Sequence, residues 1–189
     1  TAMGEKLGQD VVAANALMMQ FLLFAAFALD GFAYAVEGLA GSRLGARDLE
    51  GFHRVVRRCA LWTAASACVI SLLIGLGQPL LLPLLSDIAS VRDILADVHL
   101  WLVVLPLLAA PSYLLDGVFI GAAETRPLMT SMLFSALLIY LPVWYVAQPW
   151  GNQGLWLSFT LFNLARGMSL AWIFRRFSRA GHWLPDRQA

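Results

Sequence analysis

Five long apolar stretches, roughly 11–41, 59–85, 98–123, 128–147 and 155–174, account for most of this 189-residue chain. Each is near or above the ~20 residues that a helix needs to cross the hydrocarbon core of a bilayer. The connections between them are short. Composition points the same way: 60% of residues are apolar and 13% charged, against roughly 25% charged in an ordinary soluble domain. A water-soluble bundle would need a charged outer surface, and 13 basic and 12 acidic side chains are too few to supply one. The expected fold class is all-α, a polytopic transmembrane helical bundle of five spans, followed by a cytoplasmic tail over 175–189.

Basic residues accumulate in the cytoplasmic connections of membrane proteins. Here Arg43, Arg47, Arg54, Arg57 and Arg58 fall between spans one and two, Arg126 between three and four, and Arg175, Arg176, Arg179 and Arg187 after span five. The opposite side has Lys6 and Arg92. Ten against two places the amino end outside and the carboxyl end in the cytoplasm, across the inner membrane. A miscounted span would have scrambled this alternation. Aromatic belts agree, with Trp101, Trp144, Tyr145, Trp150 and Trp156 toward the outer ends and Trp62, Trp172 and Trp183 toward the inner ends. His99 reads as an outer-interface residue, and Glu124 with Arg126 as a solvated helix end.

Prolines and glycines modulate the helices. The second stretch is expected to bend or end near Pro79 and Pro83, and Pro106 and Pro111 should kink the third, because each proline removes a backbone donor. In a bilayer such a kink must be satisfied by neighbouring helices or a wet cavity, which favours a transporter-like bundle over a passive anchor. The pairs Gly41-x-x-x-Gly45 and Gly117-x-x-x-Gly121 have the spacing that lets two helix backbones approach. Cys59 and Cys68 lie nine residues apart on one helix, too far along its axis for a disulfide, and read as small packing residues.

Charges within the spans need an explanation, since an ionised side chain at mid-bilayer costs at least ~2.5 kcal/mol unless paired or hydrated. Asp30 in span one, Asp116 in span three and Arg166 in span five all lie ~10 to 14 Å from the cytoplasmic ends, at 1.5 Å per residue. Three charges at one depth suggest a shared polar layer. Two acids against one base leave a carboxylate over, so Asp116 and Asp30 are the candidate cation-coupling residues, with Arg166 as charge partner. The alternative is that Arg166 only neutralises one of them and holds helices together. Glu37 follows Asp30 on nearly the same helical face and could extend the polar layer toward the cytoplasm.

The net charge of +1 gives no reason to expect nucleic acid as a partner, and the basic connections are explained by contact with membrane lipids. There is no Ser-His-Asp order, H-E-x-x-H, Cys-rich metal pattern or G-x-x-x-x-G-K-[ST] loop, so the chain is not read as an enzyme, a metalloprotein or an ATP-driven pump. No cofactor is expected, and energy would come from an H⁺ or Na⁺ gradient, with Na⁺ a candidate ligand of Asp116. Leu29-Asp30-Gly31-Phe32 in span one faintly echoes Leu115-Asp116-Gly117-Val118-Phe119 in span three, as internal repeats of secondary transporters do.

Several motifs taken together resemble one family. Leu7-Gly8, Ala13-Ala14-Asn15, Leu29-Asp30-Gly31-Phe32-Ala33-Tyr34-Ala35, Gly41-x-x-x-Gly45-Ala46-Arg47-Asp48, Asp116-Gly117-Val118-Phe119-Ile120-Gly121-Ala122 and Gly151-Asn152-Gln153-Gly154-Leu155-Trp156 look like the multidrug and toxic compound extrusion (MATE) family, in particular its DNA-damage-inducible protein F branch. The resemblance covers nearly the whole chain. It implies a twelve-helix exporter with two six-helix lobes around a central cavity, driven by H⁺ or Na⁺ antiport, of which this chain would supply helices eight to twelve. The amino-terminal lobe and helix seven would then be the chain's partners, and a small organic molecule its substrate. It also implies that Asp116, on helix ten, matches an acid of the carboxyl-lobe cation site, whereas some branch members bind their proton in the other lobe. A lipid-linked sugar flippase would require a strongly basic cavity, and a non-transporting membrane scaffold would use the buried charges for packing alone.

Overall fold

The computed structural model describes residues 8–184, and every regular element among them is helical. Lys6, Leu7, Arg187 and the end of the expected tail lie outside the described residues. Helix α1 spans Gln9–Gly45, α2 Leu49–Leu85 and α3 Ala89–Gly121. A longer helical run follows: α4 Thr125–Phe134, a π-helical turn Ser135–Tyr140, α5 Leu141–Ala147, a 3-10 turn Gln148–Trp150, and α6 Gly151–Arg179.

Among the described residues four helical runs are long and apolar enough to cross a membrane, Gln9–Gly45, Leu49–Leu81, Ala89–Gly121 and Thr125–Arg179. The unbroken runs number four where five spans were expected, for a local reason. Spans four and five are joined by no more than a 3-10 turn, so the helical pattern never lapses across the 55 residues of the last run. The chain nevertheless reverses there. Gly151 takes φ +56° and ψ −127°, a conformation that suits glycine. Beyond it Gly154 packs against the Ala147 carbonyl, the Phe162 ring meets Tyr140, and Ser169 meets Ser131. Those pairs step apart in opposite directions along the chain, the mark of an antiparallel hairpin.

Three helices end on one hydrogen-bond pattern at the same end of the bundle. Asp48 donates its backbone N–H to the Arg43 carbonyl, Glu124 to Phe119 and His182 to Phe177, each five residues back. The residue before the donor is left-handed in every case, Arg47 at φ +57°, Ala123 at +58° and Gly181 at +67°. This is the Schellman stop, which satisfies carbonyls left over at a helix C-terminus. The Asp48 side chain then caps α2 by accepting from the Gly51 N–H at 2.7 Å.

Pro79, Pro106 and Pro111 lie inside helices that continue past them, whereas α2 ends at Leu85, two residues beyond Pro83, where the second stretch was expected to bend or end. Helix α2 begins ten residues before the apolar stretch and carries Arg54, Arg57 and Arg58 on its early turns.

Helix α3 is the hub, packed against α1, α2 and α6. On α1 the buried positions Ala14, Met18, Ala25, Leu29, Val36 and Ala40 fall alternately four and seven apart, a single stripe. Its other faces are equally apolar, with Phe24, Phe27 and Tyr34 exposed, as suits a helix bathed in lipid. Contact between α1 and α3 is backbone to backbone. A Cβ added at Gly117 would land on the Ala33 carbonyl, and one at Gly121 on the Glu37 carbonyl. Gly41 faces Gly121 in turn, while Gly45 meets nothing within 4 Å. Of the two small-residue pairs, Gly117-x-x-x-Gly121 makes the contact and Gly41-x-x-x-Gly45 contributes its first member only.

Overpacking a tight contact costs typically 1–3 kcal/mol, and more where backbone blocks the way. Gly117→Leu is therefore expected to lower the detergent-solubilised protein's melting temperature sharply or abolish folding, whereas Gly45→Ala should leave it unchanged in the same thermal-unfolding assay.

Candidate functional site

The close approach of α1 to α3 sets two carboxylates side by side. Asp116 immediately precedes Gly117, and Asp30 lies three residues before the Ala33 carbonyl on which Gly117 rests. Helix α6 closes the third side, where Gly167 lies against Pro111 and Ser112 of α3. From the adjacent position Arg166 donates from Nη2 to Asp116 Oδ2 at 2.6 Å. Both side chains are about four-fifths buried, 21% exposed for Arg166 and 19% for Asp116. The pair is single-pronged, since Asp116 Oδ1 and Arg166 Nε are buried without hydrogen-bond partners. Asp30 forms no ion pair among the described residues, but its charge and that of Arg166 both act on Asp116. Of the three charges, Arg166 and Asp116 are paired directly, and Asp30 is near enough to act on Asp116.

Two further residues belong to this group. The Tyr113 phenol, half-buried, feels the charges of Asp30, Arg166 and Asp116. Asn163 donates to the Phe159 carbonyl at 2.9 Å. With Leu29 and Ala109 they line an apolar cleft between α1, α3 and α6 on the side of the layer away from the Schellman stops. Each stands three residues before a charge, Tyr113 before Asp116 and Asn163 before Arg166, and that spacing on one helical face was the available signal. The backbone under Arg166 is fixed as well. Its carbonyl accepts from Ser131 Oγ of α4 at 3.3 Å and from Ser169 Oγ at 2.9 Å. Glu37 is not drawn into the layer: its side chain forms no ion pair or hydrogen bond among the described residues, and its backbone serves the contact with Gly121. No cluster of three or more His, Cys, Asp and Glu side chains arranged to hold a metal ion is found among the described residues.

A family model described as MatE matches residues 1–146. The chain belongs to the MatE family. Over 184 residues, 97% of this chain, it is 39% identical to DNA damage-inducible protein F of Escherichia coli (strain K12), and it spans 40% of that relative's length. Among solved structures, the Vibrio cholerae MATE transporter VcmN in its bent form superposes with TM-score 0.83 at 21% identity, over 97% of this chain and 42% of that one. The eukaryotic MATE transporter AtDTX14 gives 0.80 at 15% identity, over 89% and 39%. The MATE fold of these helices and their membrane character follow.

Within this MatE chain the Gly151–Trp156 motif is a polar clamp rather than a belt of interfacial residues. Asn15 of α1 donates to Asn152 Oδ1 at 2.8 Å and accepts from Trp156 Nε1 at 2.9 Å. Gln153 accepts from Trp101 Nε1 at 2.6 Å and donates to the Asp97 carbonyl at 2.7 Å. Trp156 is therefore buried, as is Trp183 at the other end, where it packs among Phe52, Phe119, Phe174 and Phe177. Trp62, Trp150 and Trp172 are exposed, as a belt requires. His99 is buried within the protein near the start of α3, and Glu124 bonds His182 at 2.8 Å.

Removing one partner of a buried ion pair costs about 3–5 kcal/mol, because the other charge is left uncompensated, whereas replacing both with apolar groups is often neutral. Arg166→Met should accordingly destabilise the protein more than the double variant Arg166→Met with Asp116→Leu, measured by thermal unfolding in detergent.

Proposed function

We propose that this chain forms most of one lobe of a secondary active transporter that exports organic, drug-like compounds across the inner membrane by antiport with H⁺ or Na⁺. The observation that carries this reading is the charge layer: two carboxylates and one guanidinium at the junction of three spans, in a chain 39% identical to DNA damage-inducible protein F over 97% of its length. Ionisable groups within a membrane are retained for ion or substrate pathways. In this reading Asp116 and Asp30 bind and release the coupling cation, and Arg166 balances the layer when the cation is absent. Rocking of this lobe against its partner lobe would expose the layer to each side in turn.

Orientation in the reading follows the arginines. Arg43, Arg47, Arg54, Arg57, Arg58, Arg126, Arg175, Arg176 and Arg179 all lie toward the end that carries the Schellman stops, and Arg92 toward the other. The first of these ends is placed in the cytoplasm.

A second reading is favoured by one observation, the direct Arg166 to Asp116 bond. It treats the pair as a static clamp between α3 and α6. The two readings separate in the full-length transporter, reconstituted into proteoliposomes with ethidium as the exported dye. Asp116→Asn is expected to abolish dye-dependent H⁺ or Na⁺ movement while the protein remains folded, and Asp30→Asn to weaken it. Unchanged coupling in both variants would leave the clamp as the surviving account.

A further inference from the structure

Arg166 sits at the centre of an unequal set of charges. It holds Asp116 by one oxygen and one nitrogen, 2.6 Å apart, although a guanidinium and a carboxylate can pair through two parallel bonds. Asp116 Oδ1 and Arg166 Nε are both buried and idle. A second carboxylate, Asp30 on α1, lies in the same layer without an ion pair of its own among the described residues. The charged and titratable groups acting on Asp116 come from each helix that meets there: Asp30 from α1 and Arg166 from α6, with Tyr113 beside it on α3.

We infer that Arg166 is a tethered counter-cation that exchanges partners, holding Asp116 when the site is empty and passing to Asp30 when a cation takes its place on Asp116. The inference rests on the proposed role of Asp116 in coupling. Geometry supports an exchange over a fixed pair in three ways. The existing bond is single rather than bidentate, so leaving it breaks one hydrogen bond rather than two. The receiving carboxylate lies within about one helical turn of the pair, brought there by the seating of Gly117 on the Ala33 carbonyl. The arginine's backbone stays anchored throughout, its carbonyl bonded by Ser131 and Ser169 Oγ, so the movement is confined to a long flexible side chain. Charge balances at each stage: one guanidinium and two carboxylates before, and the same groups plus one bound cation after. The consequence is mechanical. An empty site ties α6 to α3, and a loaded site ties α6 to α1, so cation binding selects which helices of the lobe move together.

The exchange makes Arg166 a competitor for the coupling cation and Asp30 its alternative seat, which gives the two residues opposite effects. In proteoliposomes of the full-length transporter, the readout is the H⁺ or Na⁺ concentration at half-maximal ethidium transport. Arg166→Gln should lower it by about tenfold, within the range of coupling between sites, and Asp30→Asn should raise it, because the arginine then has nowhere else to go. In the double variant the Asp30 effect should largely vanish, since no arginine remains to be displaced. Arg166→Lys retains a charge and should fall between wild type and Arg166→Gln, which keeps the test available if the glutamine variant does not fold. An Asp30→Asn shift of equal size with and without Arg166 would show simple additive electrostatics and overturn the exchange while leaving the proposed function intact. Loss of coupling in Asp116→Asn with no shift in either single variant would do the same, and intact coupling in Asp116→Asn would overturn both.

Discussion

The seating of Gly117 and Gly121 on the Ala33 and Glu37 carbonyls is the contact on which the rest of this bundle depends. In lipid there is no hydrophobic force to press two apolar helices together, because the surrounding chains are as apolar as the side chains that would be buried. Close van der Waals contact over a long line must do it instead, and only the absence of a side chain lets backbones come that near. Once α1 lies on α3 in this register, Asp30 and Asp116 fall within about one helical turn of each other. The charge layer is thus a consequence of a packing contact, not a separate device.

The remaining helices are held by specific polar and aromatic pins for the same reason. At one end Asn15, Asn152 and Trp156 tie α6 to α1 while Gln153 ties it to Trp101 and Asp97 on α3. At the other, His53 Nε2 and Trp183 Nε1 share the Ser178 hydroxyl, and the Trp183 ring fills the space among Phe52, Phe119, Phe174 and Phe177. Between these pins α6 is fixed at both ends and needs only Gly167 to bring Arg166 against α3. The π-helical turn Ser135–Tyr140 lies in the opposing leg of the hairpin, and an apolar surface groove lined by Ile139, Val143, Leu161 and Leu164 runs along the two packed legs there.

Much of this was legible in the residues, and the failures have physical causes. Hydropathy located every span, since a bilayer demands length and apolarity whatever the partner helices are. It expected five separate stretches where the described residues form four unbroken helical runs, because at Gln148–Trp150 the chain reverses through a 3-10 turn without leaving helical geometry. The shared depth of Asp30, Asp116 and Arg166 could be counted from the helix ends, but which acid receives the arginine could not. That choice depends on helix rotation, and a helix that is apolar on all sides carries no amphipathic signal to set it. The same blindness hid the burial of His99, Trp156 and Trp183.

Rotation of α1 is what makes the charge stoichiometry informative. Its buried stripe includes Leu29 and leaves Asp30 at the margin of the stripe, half-buried, while Phe24, Phe27 and Tyr34 point away from the bundle. Had the layer served only to fasten helices, one acid and one base would have sufficed, and a second acid at the same depth would add cost without a partner. Placing the surplus carboxylate at the margin keeps it within reach of the pair and of the adjoining cleft lined by Tyr113 and Asn163. A layer with one more acid than base, beside a cleft between three spans, has the charge composition that the proposed coupling role requires.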